Sequence, residues 1–246
     1  MGRGKSRRRV VYARNRGLGL PQLLLFLVGM PVKLRGAVIH RTPWVTWTLA
    51  ALIAVSSVAV WGIEPLQPFA LQLAFWPELG LPAALPGAVL HVFLHGGWLH
   101  LLGNLYFLML FGRNVECAFG RRRMLGLFFL SALLGALLHG MFTDAGLIGA
   151  SGGVFGILVF YVCQFPQARV IWAPGLLVRG ALLLWARRFL DRGFPVTVYF
   201  AVYAGLQLLV LNEQLFYAGQ VSALAHLGGG LAGLVIWAAW RARLLP

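Results

Sequence analysis

The chain has 246 residues, of which 60% are hydrophobic and only 11% are charged, and its formal net charge is +15 at pH 7. This composition excludes an ordinary water-soluble domain and indicates a membrane protein with several spans. The length predicts one bundle of helices and not several domains.

Six apolar segments are predicted to cross the membrane as helices. In chain order they are residues 44–61, 99–111, 124–142, 151–163, 195–211 and 221–240. We therefore expect an all-α membrane protein with a short central helix, in which residues 44–243 form the bundle. A basic cytoplasmic tail with an interfacial segment is expected over 1–43, and a short C-terminal end over 244–246.

The basic residues are distributed unevenly along the chain. With the N-terminus inside, all 21 Lys and Arg residues fall in the tail or in inner segments, whereas the outer loops hold four of the six acidic residues. This is the positive-inside pattern, so the basic excess should face the cytoplasm and anionic lipid, and not nucleic acid. The bacterial inner membrane is the expected location.

The segment over residues 164–194 is partly apolar but is interrupted by five arginines, and Pro166, Pro174 and Gly175 break it early. We expect it to lie on the inner surface, partly as an amphipathic helix, and not to cross. His226 then lies about 8 Å below the outer face, because it is five residues into the last span.

Ser151 opens the fourth span, within the run Gly-Ala-Ser-Gly-Gly over 149–153. Its thirteen apolar residues reach only ~20 Å at about 1.5 Å per residue, short of a bilayer core of roughly 30 Å. The hydroxyl should therefore lie about 10 Å below the outer face, at a depth close to that of His226. A polar group held there is costly unless it serves a function.

Serine is a weak nucleophile and needs a base within hydrogen-bonding reach, and His226 is the candidate for that base. Phe155, one turn after Ser151, is placed to stack on the imidazole. Glycines spaced by four residues lie on both helices and allow their backbones to approach closely: Gly152, Gly156, Gly229 and Gly233.

A third motif runs from His95 to Asn104. His100 and Asn104 are four residues apart and so share one helix face, where two donors can stabilise an oxyanion. The backbone N–H of Ser151 can supply a third donor from its helix start. His95 lies outside the span and is expected to brace the outer loop.

The three motifs together resemble the rhomboid intramembrane serine proteases, over about residues 44–243 and with the six-span bacterial arrangement. The resemblance implies that Ser151 is the nucleophile and that His226 is the general base and acid. His100, Asn104 and the Ser151 amide would form the oxyanion hole, which Gly149 and the Ala150 backbone would help to shape. It also implies cleavage of transmembrane protein substrates in or near their helices, close to the outer face, without a cofactor or a metal.

One departure concerns the first outer loop, where many rhomboids have a Trp-Arg pair. Residues 62–90 contain no arginine, and we expect Trp76 and the run 81–86 to serve instead.

Two alternatives differ from this reading. A metal site could use His91, His95 and His100, although glycines at 96 and 97 interrupt the stretch and no His-Glu-x-x-His pattern occurs. A non-catalytic scaffold of rhomboid shape is the second alternative, although the chain keeps both the serine and the histidine that such proteins usually lack.

Overall fold

The computed structural model describes residues 11–14, 19–80, 82–173, 178–181, 192–217 and 222–245. Helices account for most of these residues, so the predicted helical fold class is confirmed. The helices are α1 Leu20–Leu27, α2 Trp44–Gly62, α3 Gln67–Leu73, α4 Leu85–Leu90, α5 Trp98–Phe107, α6 Arg113–Phe119, α7 Arg121–Gly140, α8 Ser151–Gln164, α9 Val196–Tyr217 and α10 Ala223–Arg241. Short 3₁₀ turns cover Glu64–Leu66, Pro77–Leu79 and His91–Phe93, and a π-helical stretch, Leu108–Gly112, joins α5 to α6.

Several of these helices are suited to a bilayer. By length and composition, α2, α7 and α10 could each cross a membrane, and the pair Leu85–Phe93 with Trp98–Phe119, bent by 89°, passes the same test. Two shorter apolar helices, Ser151–Gln164 and Val196–Leu209, accompany them in the described part of the chain. The chain is therefore a multi-pass membrane protein, and the count of six spans stays a prediction.

The helix boundaries differ most from the predicted spans in three places, and one of them is α9, which continues to Tyr217, six residues beyond its predicted end at residue 211. The second predicted span ended at residue 111, but the helical path continues through the π-helical stretch and α6 to Phe119. The third begins at Arg121, three residues before its predicted start, because Gly120 at φ +94° ends the preceding helix. The basic triplet Arg121, Arg122 and Arg123 therefore forms the first turn of α7 and not a loop.

The chain divides into two compact units, one comprising Met1–His40 with Phe165–Tyr199 and the other Arg41–Gln164 with Phe200–Pro246. The first unit contains an antiparallel sheet in the order β1-β2-β3-β4, formed by Tyr12–Arg14, Val32–Ala37, Arg169–Ile171 and Phe194–Pro195. Phe26 is buried with Val32, Ile171 and Ala173 beside this sheet. The predicted tail and bundle boundaries at 43 and 243 stay predictions.

This sheet was not predicted from the sequence. β3 and β4 occupy the two ends of the 164–194 segment, where an inner-surface segment with some amphipathic helix was expected. Strands of two and three residues carry too little alternation to be recognised, and their pairing joins residues far apart in the chain. Most of the predicted amphipathic helix lies outside the described residues.

In the second unit, α8 is enclosed by its neighbours. Every residue from Gly152 to Val162 is buried, which makes α8 the short central helix of this unit. It packs most extensively against α7 and α10, which also pack against each other. A Cβ on Gly135 of α7 would lie 2.5 Å from the carbonyl oxygen of Ala225 on α10. A larger residue at position 135 would therefore separate α7 from α10.

One acidic side chain fixes the start of α2. The Glu116 carboxylate on α6 accepts the N–H groups of Val45 and Thr46 at 3.1 and 2.8 Å and the Thr46 hydroxyl at 2.8 Å. Only 4% of Glu116 is exposed, and the guanidinium of Arg121 lies 3.9 Å from its carboxylate. A negative charge at a helix N-terminus is favourable because the first N–H groups lack intrahelical partners.

Candidate active site

Ser151 is the first residue of α8. The N–H of Val154 donates to the carbonyl of Ala150 at 3.0 Å, which closes the first helical turn around the serine. N–H groups in a first turn have no intrahelical acceptor, and the helix dipole places partial positive charge there. The Ser151 hydroxyl therefore stands beside donors that suit a developing negative charge.

Position 149, two residues earlier, requires a glycine, both for its backbone conformation and because His100 lies so close. Its φ of +112° lies in the left-handed region, and its N–H donates to the carbonyl of His91 at 2.9 Å. A Cβ at this position would lie 2.6 Å from Cε1 of His100. The imidazole of His100 thus lies directly against the turn that leads into Ser151.

His226 lies on α10, in its first turns. The hydroxyl of Ser222 caps this helix by accepting the N–H of Ala225 at 3.0 Å. The backbones of α8 and α10 touch beside the two candidate catalytic residues, since a Cβ on Gly152 would lie 3.3 Å from the Ala225 carbonyl oxygen and a Cβ on Gly229 would overlap the Gly152 carbonyl oxygen.

The same contact continues along both helices. A Cβ on Gly156 would lie 2.8 Å from the carbonyl oxygen of Gly229, and one on Gly233 would overlap the carbonyl oxygen of Gly156. The four glycines named from the sequence therefore lie at one interface. Only glycine allows carbonyl oxygens and Cα atoms to approach so closely.

The imidazole of His226 has two well-defined contacts. It stacks on the ring of Phe155, with centroids 5.3 Å apart and planes 3° from parallel, and its Nδ1 lies 2.6 Å from Oε1 of Gln207 on α9. The ring of Phe155 also stacks on Tyr203 at 5.6 Å, and Tyr203 in turn stacks on Phe107 at 5.8 Å. Side chains from two other helices, α8 and α9, thus contact the imidazole of His226, and Phe107 of α5 extends the stack.

Ser151 and His226 lie on helices whose backbones touch at Gly152 and Gly229, and no hydrogen bond joins their side chains among the residues described. Catalytic hydrogen bonds are often long in ligand-free enzymes and shorten when substrate binds. Because Nδ1 of His226 is hydrogen-bonded to Gln207, only Nε2 is left for another partner.

His100 and Asn104 occupy one face of α5, as their spacing predicts. Asn104 is 7% exposed, and its amide Nδ2 donates to the carbonyl oxygen of His100 at 3.1 Å. An amide nitrogen carries two hydrogens, so this bond leaves one for another acceptor. The oxyanion role of both side chains stays a prediction.

His95 links the turn before α5 to two other parts of the chain. Its Nδ1 lies 3.0 Å from the Ser57 hydroxyl on α2, and its Nε2 accepts the N–H of Ala150 at 3.4 Å. The indole N–H of Trp61 donates to the His95 carbonyl at 3.0 Å. Burial lowers the pKa of His95 to about 3, so the ring is neutral and Nε2 keeps its lone pair.

The segment expected to form the first outer loop is also attached to the turn before Ser151. Phe75 and Leu147 exchange two backbone hydrogen bonds, at 3.0 and 2.8 Å, and form an isolated antiparallel bridge. The indole of Trp76 covers Gly146, where a Cβ would lie 2.5 Å from the ring. Trp76 thus connects the two loops without an arginine, and residue 81 of the run 81–86 lies outside the described residues.

His139, at the end of α7, connects the same turn to α10. Its Nε2–H donates to the carbonyl oxygen of Ala145 at 2.8 Å, which leaves Nδ1 to accept the Ser222 hydroxyl at 2.8 Å. His139 therefore joins the turn before Ser151 to the cap of α10.

Sequence reasoning missed Gln207, because one glutamine in an apolar helix is ordinary. A polar side chain in the middle of a span is nevertheless costly in a bilayer, and this cost was the signal that could have identified Gln207.

Within the described residues, no group of three or more His, Cys, Asp or Glu side chains is arranged to hold a metal ion. Both nitrogens of His95 are already hydrogen-bonded, which disfavours it as a ligand.

A family model for the rhomboid domain matches residues 84–243. The chain is 30% identical over 151 residues to Rhomboid-like protease 1 of Toxoplasma gondii, an alignment that covers 60% of this chain and 44% of that protein. It is 29% identical over 148 residues to RHOMBOID-like protein 5 of Arabidopsis thaliana, covering 59% and 40%. It is 27% identical over 196 residues to Rhomboid-like protease 3 of Toxoplasma gondii, covering 78% and 66%.

The chain therefore spans less than half the length of the first two relatives. The matched region contains the serine turn, the histidine of α10 and both polar residues of α5. This chain belongs to the rhomboid family.

Proposed function

We propose that the chain is an intramembrane serine endopeptidase that hydrolyses peptide bonds in or near the transmembrane helices of membrane proteins. One observation carries this proposal: Ser151 at a helix start and the oriented imidazole of His226 stand on two helices whose backbones touch. Family membership supports the same chemistry, since two of the similar proteins are named as proteases.

The reaction begins when Nε2 of His226 takes the hydroxyl proton of Ser151 and the oxygen attacks the scissile carbonyl carbon. The carbonyl oxygen becomes an oxyanion, which accepts hydrogen bonds from His100, Asn104 and the Ser151 N–H. The imidazolium then gives its proton to the leaving amine, and water hydrolyses the acyl-enzyme by the same route.

Substrate choice follows from the shielding of helical backbone amides. A peptide bond inside a helix must be exposed before a nucleophile can reach it, so helix-weakening residues at the cut site are expected. The depth expected for Ser151 from the sequence supports a cut near the outer face. We further propose a bacterial inner-membrane location with a cytoplasmic N-terminus, as the basic residues indicate.

The test is cleavage of a single-span model substrate in liposomes by the wild type, Ser151→Ala and His226→Ala. Two matched controls are Ser131→Ala, a buried serine on α7, and His40→Ala, an exposed histidine. We expect both active-site variants to lose product while they still fold and insert, and both controls to keep it. Mass spectrometry of the products locates the cut.

Undiminished cleavage by Ser151→Ala would overturn the proposal. Loss of activity with a chelator, without labelling by a serine-directed fluorophosphonate, would favour a metal enzyme. A wild type that neither cleaves nor labels would favour the scaffold.

A further inference from the structure

We propose that Gln207 is a positioning residue that fixes the tautomer of His226, so that a neutral amide takes the place of the carboxylate in a serine–histidine–carboxylate triad. The inference rests on the proposed function. Its basis is the 2.6 Å contact between Oε1 of Gln207 and Nδ1 of His226. Only 5% of Gln207 and 7% of His226 are exposed, so water does not compete freely for either group.

The tautomer matters because a neutral imidazole carries one proton on two nitrogens. Proton transfer from Ser151 requires a bare Nε2, and the proton must then reside on Nδ1. An Nδ1–H needs an acceptor, and Oε1 of Gln207 is that acceptor. With the opposite tautomer, Nε2 would carry the proton and His226 would be unable to act as the base.

Gln207 also stabilises the charged form that follows. When His226 takes the serine proton, both ring nitrogens become donors, and the Nδ1–H remains bonded to the amide oxygen. Hydrogen bonds to charged groups are stronger than neutral ones. The contact is therefore worth more in the transition state than in the resting enzyme, and this difference is what accelerates a reaction.

The position of Gln207 makes the base depend on a third helix. Tyr203 and Gln207 are four residues apart on α9 and share a face, where Tyr203 stacks on Phe155 and Gln207 bonds His226. The nucleophile and the base lie on α8 and α10. The orientation of the imidazole thus requires α9 to be packed against the other two helices.

The test combines spectroscopy and kinetics. Long-range ¹⁵N NMR of histidine-labelled protein in micelles reports which ring nitrogen is protonated, and the spectrum of His226→Ala assigns the signal. We expect the Nδ1–H tautomer in the wild type and in Ser151→Ala. In Gln207→Met, which has a similar shape but no acceptor, we expect the Nε2–H form or a mixture.

In the cleavage assay, Gln207→Met should lower kcat by about tenfold or more and leave KM nearly unchanged. Gln207→Glu keeps an acceptor and should recover the wild-type tautomer and most of kcat. Leu208→Met introduces the same side chain at an exposed position of α9 and serves as the control. If the methionine variant fails to fold, Gln207→Asn replaces it with the same expected results, because its shorter side chain withdraws the acceptor from Nδ1 of His226.

A wild-type Nε2–H tautomer, or an unchanged kcat in folded Gln207→Met, would overturn this inference. The tautomer measurement needs no activity. If the wild type shows no Ser151-dependent cleavage, the proposed function is refuted. The NMR measurement still decides whether Gln207 fixes the tautomer of His226.

Discussion

The imidazole of His226 lies flat against the ring of Phe155, with centroids 5.3 Å apart and planes only 3° from parallel. Phe155 is one turn after Ser151 on α8, so the helix that carries the nucleophile also supports the base. The contact restricts rotation of the imidazole about its own side-chain bonds. A fixed ring reduces the reorganisation needed before proton transfer.

Replacement of this ring should slow turnover. Stacked aromatic pairs contribute about 0.5–1.5 kcal/mol beyond their buried area, so Phe155→Leu should lower kcat by about two- to tenfold. Phe160→Leu, a buried position further along α8, is the control, because its ring packs against Phe119 and Trp240. Equal losses of activity per folded molecule in both variants would contradict the supporting role.

Gly149→Ala should impair activity more than stability. A left-handed φ costs a non-glycine residue roughly 1–2 kcal/mol, and the added Cβ would displace His100 from the serine turn. We expect a loss of at least about tenfold in kcat. Gly103→Ala on α5 has open space for a Cβ and should retain activity. A Gly149→Ala enzyme with wild-type kcat would disprove the importance of this turn.

Glu116→Gln should destabilise the protein without changing its chemistry. The Glu116 carboxylate accepts three hydrogen bonds, and a neutral amide carries no negative charge to strengthen them. We expect the free energy of unfolding to fall by about 2 kcal/mol. Thermal unfolding in detergent micelles measures the change, with Glu78→Gln at an exposed position as the control. An unchanged midpoint for Glu116→Gln would show that the carboxylate does not stabilise α2.

His139 and Ser222 should contribute to stability as a pair. Loss of a helix cap costs about 0.5–2 kcal/mol, so His139→Leu and Ser222→Ala should each lower the unfolding midpoint. The unfolding midpoint of the double variant should fall by less than the sum of the two single changes, because both substitutions disrupt the same hydrogen-bond network. Full additivity would argue that the two side chains act independently.

His95 should make folding sensitive to acid. Its pKa is about 3 in the folded protein and 6.5 when unperturbed, chiefly because burial disfavours the charged ring. Between these values the unfolded chain binds a proton that the folded chain does not, so stability falls as pH decreases from about 6.5 towards 3. Above pH 6.5 this contribution is constant.

Unfolding of His95→Gln should therefore depend less on pH over the interval from 6.5 to 4 than unfolding of the wild type. The exposed His40→Gln variant should keep the wild-type slope. Identical slopes in all three proteins would contradict the assignment.

The sequence predicted the helical class and the starts of α2 and α8, because long apolar runs and a glycine-rich turn are strong local signals. The similar depth of Ser151 and His226, obtained by counting residues from the outer ends of their spans, stays a prediction. Phe155 could be named because a spacing of four residues along one helix puts it one turn from Ser151.

Other features depend on contacts between distant segments and were not predictable. The four-stranded sheet joins residue 12 to residue 195 through strands too short to show a pattern. Gln207 bonds His226 from 19 residues away, and nothing in its local sequence indicates that partner.

The paired backbone bonds between Phe75 and Leu147 have a practical meaning for comparisons across the family. Because the two loops share this bridge, a chimera that exchanges one of them leaves the other matched to a surface that is no longer present. A chimera between homologues should therefore exchange both loops at once, so that Trp76 and Gly146 come from the same protein.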